Sequence, residues 1–143
     1  MINEVTAAIS QKLEEAFGSG HEFYMEKLEQ GFQAPCFFIC LLNGRQEQVR
    51  GNRYFREHSF DIHYFPQSAA SPVQELQAVA VRLMMDLEYV NLDSGPIRGT
   101  KMNYEMQEEV LHFFIHYDFF VRKVPEEVPL MMELHQSQKV KEG

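Results

Sequence analysis

The sequence predicts an α+β fold: an antiparallel β-sheet of mixed-length strands with two α-helices packed on one face. Three observations carry that expectation. Residues 111–122, LHFFIHYDFFVR, put Leu111, Phe113, Ile115, Tyr117, Phe119 and Val121 on every second position, the period of a β-strand. Residues 60–65, FDIHYF, repeat the theme, with Phe60, Ile62 and Tyr64 set against Asp61, His63 and Phe65. Two stretches of helical period, near residues 2–17 and 72–90, supply the helices. Both aromatic strands are apolar on one face and mixed on the other, so the first face should rest on a core while the second meets water or another subunit.

The opening helix has its stripe at Ile2, Val5, Ile9, Leu13 and Ala16, and Gly18-Ser19-Gly20 stops it. Residues 22–28 alternate as an edge strand would. Residues 31–35 form a turn, and residues 36–42, CFFICLL, are apolar on both faces, as in a central buried strand. Asn43-Gly44 is the hairpin signal that returns the chain through residues 46–50, with a bend or bulge at Gly51-Asn52. A long strand over residues 54–65 ends at Pro66. Ser71, Pro72 and Gln74 open the second helix as cap, first helical residue and capping-box partner. Its buried face is Leu76, Val79, Ala80, Leu83, Leu87 and Val90. A turn at residues 93–96 leads to a last hairpin of residues 97–106 and 110–122. Residues 1–123 thus make one domain. Residues 124–143, with Pro125, Pro129 and an apolar knot at Leu130, Met131 and Met132, read as an arm that docks on its own domain or reaches a neighbour.

Bulk properties exclude several function classes. With 143 residues, 45% of them apolar, the chain has the length to bury roughly two-thirds of its unfolded surface. A net charge of −8 argues against a specific nucleic-acid binder, which needs basic stripes to displace counterions from phosphate. No apolar run reaches the about 18 residues of a membrane span. The acidic start, MINEVTAAISQKLEEAF, has no signal-peptide core, so the protein is expected to stay in the cytosol of the cell that makes it. Cys36 and Cys40 share one strand face about 13 Å apart, beyond disulfide reach, and are expected to be buried free thiols.

Chemistry is harder to find. Asp61 and His63 share a face of one strand, and His112, His116 and Asp118 share a face of the other. If these strands are neighbours, ligand types suited to zinc or iron converge. No HExxH, facial-triad or Cys-rich spacing accompanies them, so they are read as ordinary polar pairs on the less buried face, with no metal and no cofactor. Neither Ser59 nor Ser94 lies in a nucleophile elbow, and no glycine-rich phosphate loop follows a strand. The chain is not expected to be an enzyme. Arg45, Arg50, Arg53 and Arg56, interleaved with Tyr54 and Phe55, gather four of the thirteen basic residues around the first hairpin. Arginine and aromatics are enriched at protein interfaces. Arg50, Arg53, Tyr54, Phe55, Phe114, Phe120, Leu130, Met131 and Met132 are therefore the candidate assembly residues.

Taken in order, the opening helix MINEVTAAISQKLEEAFG, then EKLEQGFQAPCFFICLLN, GNRYFREHSFDIHYFP, LMMDLEYV and RGTKMNYEMQEEVLHFFIHYDFFV resemble the tail terminator proteins of long-tailed bacteriophages, prophages and phage-tail-like particles. The resemblance spans residues 1–122. It implies a homo-oligomeric ring, usually of six subunits, that caps the finished tail tube, stops addition of tube protein and presents a surface to the head connector. Its implied partners are other copies of itself, the tail tube protein, and a sheath or head-connector protein. Its implied place is the host cytoplasm during assembly, then the head-proximal end of the tail. An acidic ring also suits a conduit for DNA, since like charge keeps phosphates from sticking. Another ring-forming tail component, such as a head–tail joining or tube protein, and a small metal-dependent enzyme on the His/Asp face are the alternatives.

Overall fold

A computed structural model describes residues 3–26, 30–67, 70 and 72–124. Among these the chain runs α1 (Glu4–Phe17), β1 (Glu22–Tyr24), β2 (Cys36–Arg50), β3 (Arg53–Phe65), α2 (Pro72–Asp86), β4 (Tyr89–Leu92), β5 (Gly95–Gln107) and β6 (Val110–Arg122). The six strands form one sheet in the order β1-β2-β3-β6-β5-β4. The α+β class is as the sequence predicts, but the sheet is mixed rather than antiparallel. β4–β5 and β5–β6 are antiparallel, whereas β1 lies parallel to β2, with Glu22 beside Cys36 and Tyr24 beside Phe38. Residues 25–35 make the difference: parallel neighbours need a connection that crosses back, and this segment is too long for a tight hairpin turn.

Local chemistry sets the ends of α1. The Asn3 side chain accepts hydrogen bonds from the backbone N–H groups of Val5 at 2.7 Å and Thr6 at 3.4 Å, satisfying two orphan donors of the first turn. At the other end Gly18 adopts φ 63°, a left-handed conformation that glycine takes without steric cost, and its N–H bonds the Glu14 carbonyl. Val5, Ile9 and Leu13 are buried as their spacing predicts. α2 opens at Pro72, while the cap expected at Ser71 lies outside the described residues.

Several boundaries differ from the sequence expectation, among them the edge strand read over residues 22–28, which ends at Tyr24. α2 ends at Asp86, and the continuation through Val90 is β4, which buries Val90 and Leu92 and exposes Tyr89 and Asn91. Leu87 and Val90 are buried as expected, Leu87 from the turn that follows α2 and Val90 from the inward face of β4. β2 passes straight through Asn43-Gly44 and turns at Gly51, whose φ is 55° and whose carbonyl accepts from Gln48 Nε2 at 2.7 Å. A two-residue hairpin turn of the Asn-Gly kind needs left-handed backbone, and Gly44 does not adopt it. Burial of β2 also stops at Ile39, so the stretch read as a central strand ends with Leu41 and Leu42 exposed. The β5–β6 hairpin turns at Glu108-Glu109, both left-handed, and β5 carries a bulge at Lys101 where the register shifts between Thr100 and Asn103.

The described residues divide into two compact units, one made of the chain up to residue 45 with residues 57–118, the other of residues 46–56 with the stretch that starts at residue 119. The larger holds the core. Ile9, Leu13, Phe37, Phe60, Ile62, Leu76, Leu83, Phe113, Ile115 and Tyr117 are fully buried there. Phe37 joins its layers, with ring centroids 4.8 Å from both Phe17 on α1 and Tyr64 on β3. The Tyr64 hydroxyl donates to the Glu75 carboxylate on α2, and the Tyr117 hydroxyl to the Leu87 carbonyl. Burial raises the pKa of both phenols, and Glu75 adds to the effect at Tyr64. Each buried aromatic thus keeps a partner for its polar end. Gly99 fits because it lacks a side chain: a Cβ there would lie 2.5 Å from Ile115 Cδ1 and 3.0 Å from the Leu87 carbonyl oxygen.

Candidate functional site

Two groups of side chains stand out, one in each unit. In the smaller, the end of β2 and the start of β3 meet the last residues of β6. Lys123 N–H bonds the Asn52 carbonyl at 2.8 Å, and Arg56 Nε donates to Gln46 Oε1 at 2.8 Å. On this backbone Phe55 and Phe120 pack with centroids 4.8 Å apart. The Arg53 guanidinium lies 4.2 Å over the Phe120 ring, and Lys123 Nζ lies 4.3 Å over Tyr54. Each is a cation held against an aromatic face. Despite these contacts Phe120 remains 51% exposed. One shallow depression is lined by Glu47, Gln48, Val49, Phe55 and Phe120, and another by Arg53, Phe120, Val121 and Arg122.

Of the candidate assembly residues, Arg53, Tyr54, Phe55 and Phe120 are brought into this cluster, and Arg50 is exposed in the same unit. Phe114 lies in the larger unit, half-buried beside His112. Leu130, Met131 and Met132 lie outside the described residues. Sequence reasoning missed Val49 and Lys123. Val49 shares no aromatic signal with its neighbours, and Lys123 lies just past the alternating run, so neither pattern pointed to them.

The second group is the His/Asp face. β3 and β6 are neighbours, and Asp61, His63 and His112 do converge. Asp61 Oδ2 lies 2.9 Å from His63 Nε2 and 3.2 Å from His112 Nδ1. Asp118 is drawn elsewhere, accepting from the His58 backbone N–H at 3.1 Å. The polar pairing expected on the less buried face is present, but deeper than a surface pair: Asp61 is 8% and His63 7% exposed. Asp61 Oδ1 is buried without a hydrogen-bond partner. Burial works against ionisation of Asp61, but the hydrogen bonds and charge of the two histidines outweigh it and hold the carboxyl below its ordinary pKa. Cys36 behaves differently. Burial, and then the nearby Glu22 charge, push its thiol up to about 11, which disfavours a nucleophilic thiolate.

No helix among the described residues is long and apolar enough to cross a membrane. A search of curated proteins finds no match. A family model described as phage tail terminator protein matches residues 4–129, from the first residue of α1 to beyond the end of β6. The ordered elements all lie within that match, and the chain belongs to the phage tail terminator family, a family of structural components of the phage tail.

Proposed function

We propose that this protein forms a ring of six identical subunits that caps the tail tube, stops tube polymerisation and offers a surface to the head connector. The supporting observation is the half-exposed Phe55–Phe120 pair with Arg53 stacked on it. Aromatic and arginine side chains are what subunit interfaces concentrate, and a shallow depression beside them suits protein contact better than a small substrate. Arg50, Arg53, Tyr54, Phe55 and Phe120 are the proposed contacts between subunits. The Leu130, Met131 and Met132 knot of the arm joins them, and Phe114, in the larger unit, is a further proposed contact. Phe17 of α1 touches Phe37, and Glu75 of α2 holds Tyr64; these contacts support both helices covering one face and leaving the other for assembly.

Tube subunits add head to tail, a contact that does not close on itself and so needs a separate stop. A ring with a tube-like lower face and a different upper face supplies that stop by shape. Its charge of −8 suits a passage for DNA. In this reading the subunits assemble in the host cytoplasm and end at the head-proximal end of the tail, in contact with tube protein. Deleting the gene and measuring tails by negative stain tests it: tails of uncontrolled length are expected. Normal-length tails that lack heads would favour a head–tail joining role, and fully assembled particles would sink both.

A further inference from the structure

We propose that Asp61, His63 and His112 form a mononuclear site for a divalent transition-metal ion of the zinc type, bridging β3 and β6. The ligands are a carboxylate oxygen of Asp61, Nε2 of His63 and Nδ1 of His112. Absent any ligand spacing, the sequence suggests ordinary pairing and no metal. The geometry argues otherwise. All three donor atoms lie within 4.8 Å of one another. In a tetrahedral site with metal–nitrogen bonds of about 2.0–2.1 Å, neighbouring ligand atoms are separated by roughly 3.3 Å. The two nitrogens already lie 2.9 and 3.2 Å from Asp61 Oδ2, so small side-chain rotations open that spacing. All three residues come from the larger unit and stand on adjacent strands rather than on loops.

A second, independent observation points to a ligand. The Asp61 side chain is 11% exposed, and its Oδ1 is itself buried with no hydrogen-bond partner. Both imidazoles aim at Oδ2 and leave Oδ1 unanswered, an uncommon condition for a buried carboxylate oxygen. A cation held by Oδ2 and the two imidazoles answers it through its own bound water, which donates a hydrogen bond to Oδ1. Two imidazoles and one carboxylate prefer zinc, cobalt or iron over magnesium or calcium, which favour all-oxygen sites. Without metal, His63 must carry its proton on Nε2 and His112 on Nδ1 to donate to the carboxylate. With metal bound, those nitrogens become ligands and each proton moves to the other ring nitrogen. The fourth tetrahedral position remains for water, and half-buried His112 lies on the accessible side.

The site does not depend on the ring reading, because none of its ligands belongs to the proposed assembly contacts. The test is titration of the chelator-treated, dialysed full chain with Co²⁺, followed by Zn²⁺. The expected result is about one Co²⁺ per chain, with visible ligand-field bands that Zn²⁺ abolishes. Nitrogen NMR should show His63 and His112 exchanging tautomers. His112→Ala, at a half-buried position, should weaken binding at least about 100-fold, and His63→Gln and Asp61→Asn should do the same if circular dichroism shows them folded. His116→Ala, on the same face of β6, should bind as wild type does. No ligand-field bands in the folded wild-type chain, or equal binding by folded His112→Ala, would overturn the proposal and leave a hydrogen-bonded triad.

Discussion

Strand β6 passes through both units of the molecule, and its two parts behave differently under one sequence pattern. From Leu111 to Tyr117 every second side chain is fully buried. From Phe119 onward the alternation continues, yet Phe119 and Val121 are only half-buried and Phe120 is half exposed. Apolar side chains at the first end fill a core. At the second, Phe120 packs against Phe55 and Arg53, and about half of its surface remains open. Period-2 alternation therefore reports a strand, whereas what lies against the strand decides whether its side chains stabilise the fold or remain available to a partner.

The largest effect expected to sharpen this contrast is at the buried end. Phe113→Ala should cost about 3–5 kcal/mol and Ile115→Ala about 2–5 kcal/mol, since each leaves a cavity in a close-packed core. Urea denaturation of both variants measures it. Gly99→Ala comes next, at about 1–3 kcal/mol, because the new Cβ meets the Leu87 carbonyl as well as the movable end of Ile115. A melting temperature equal to wild type would mean the neighbouring backbone yields more easily than its packing suggests. Phe120→Ala should change stability by less than about 1 kcal/mol and, if the proposed ring is correct, reduce its formation in size-exclusion chromatography and electron microscopy. If instead it unfolded the protein as Phe113→Ala does, the division between the two ends of β6 would be broken. The smallest effect concerns a thiol. With its pKa raised to about 11, Cys36 should resist alkylation at neutral pH in the folded chain and react readily once urea exposes it.

Much of this molecule is legible in its sequence where the signal is local. Val5, Ile9 and Leu13 of the α1 stripe, the glycine that stops it, Pro72 at the start of α2 and the β6 core row from Leu111 to Tyr117 are in place, while Ile2 lies outside the described residues. Non-local choices were not legible. Whether β1 joins β2 parallel or antiparallel depends on the path of residues 25–35, and Asn43-Gly44 offers a turn that the long β2–β3 pairing overrides. At the candidate sites, face parity grouped Asp61 with His63 and His112 with His116. The adjacency of β3 and β6 then selected His112, and local hydrogen bonding removed Asp118. The exposure of Phe120 could not be read from a run in which it resembles Phe114.

Past Phe38, β2 has β3 on one side and no described strand on the other. An open strand edge is a template for unwanted association, because its backbone donors and acceptors accept any extended chain. Beyond the exposed Leu41 and Leu42 the chain turns polar: Asn43, Arg45, Gln46, Glu47, Gln48 and Arg50 replace the apolar residues of the first half of the strand. Charged and amide side chains make such an edge a poor seed for fibrous stacking. Exchanging Arg45, Glu47 and Arg50 for valine is therefore expected to increase aggregation in concentrated stocks, which turbidity measures.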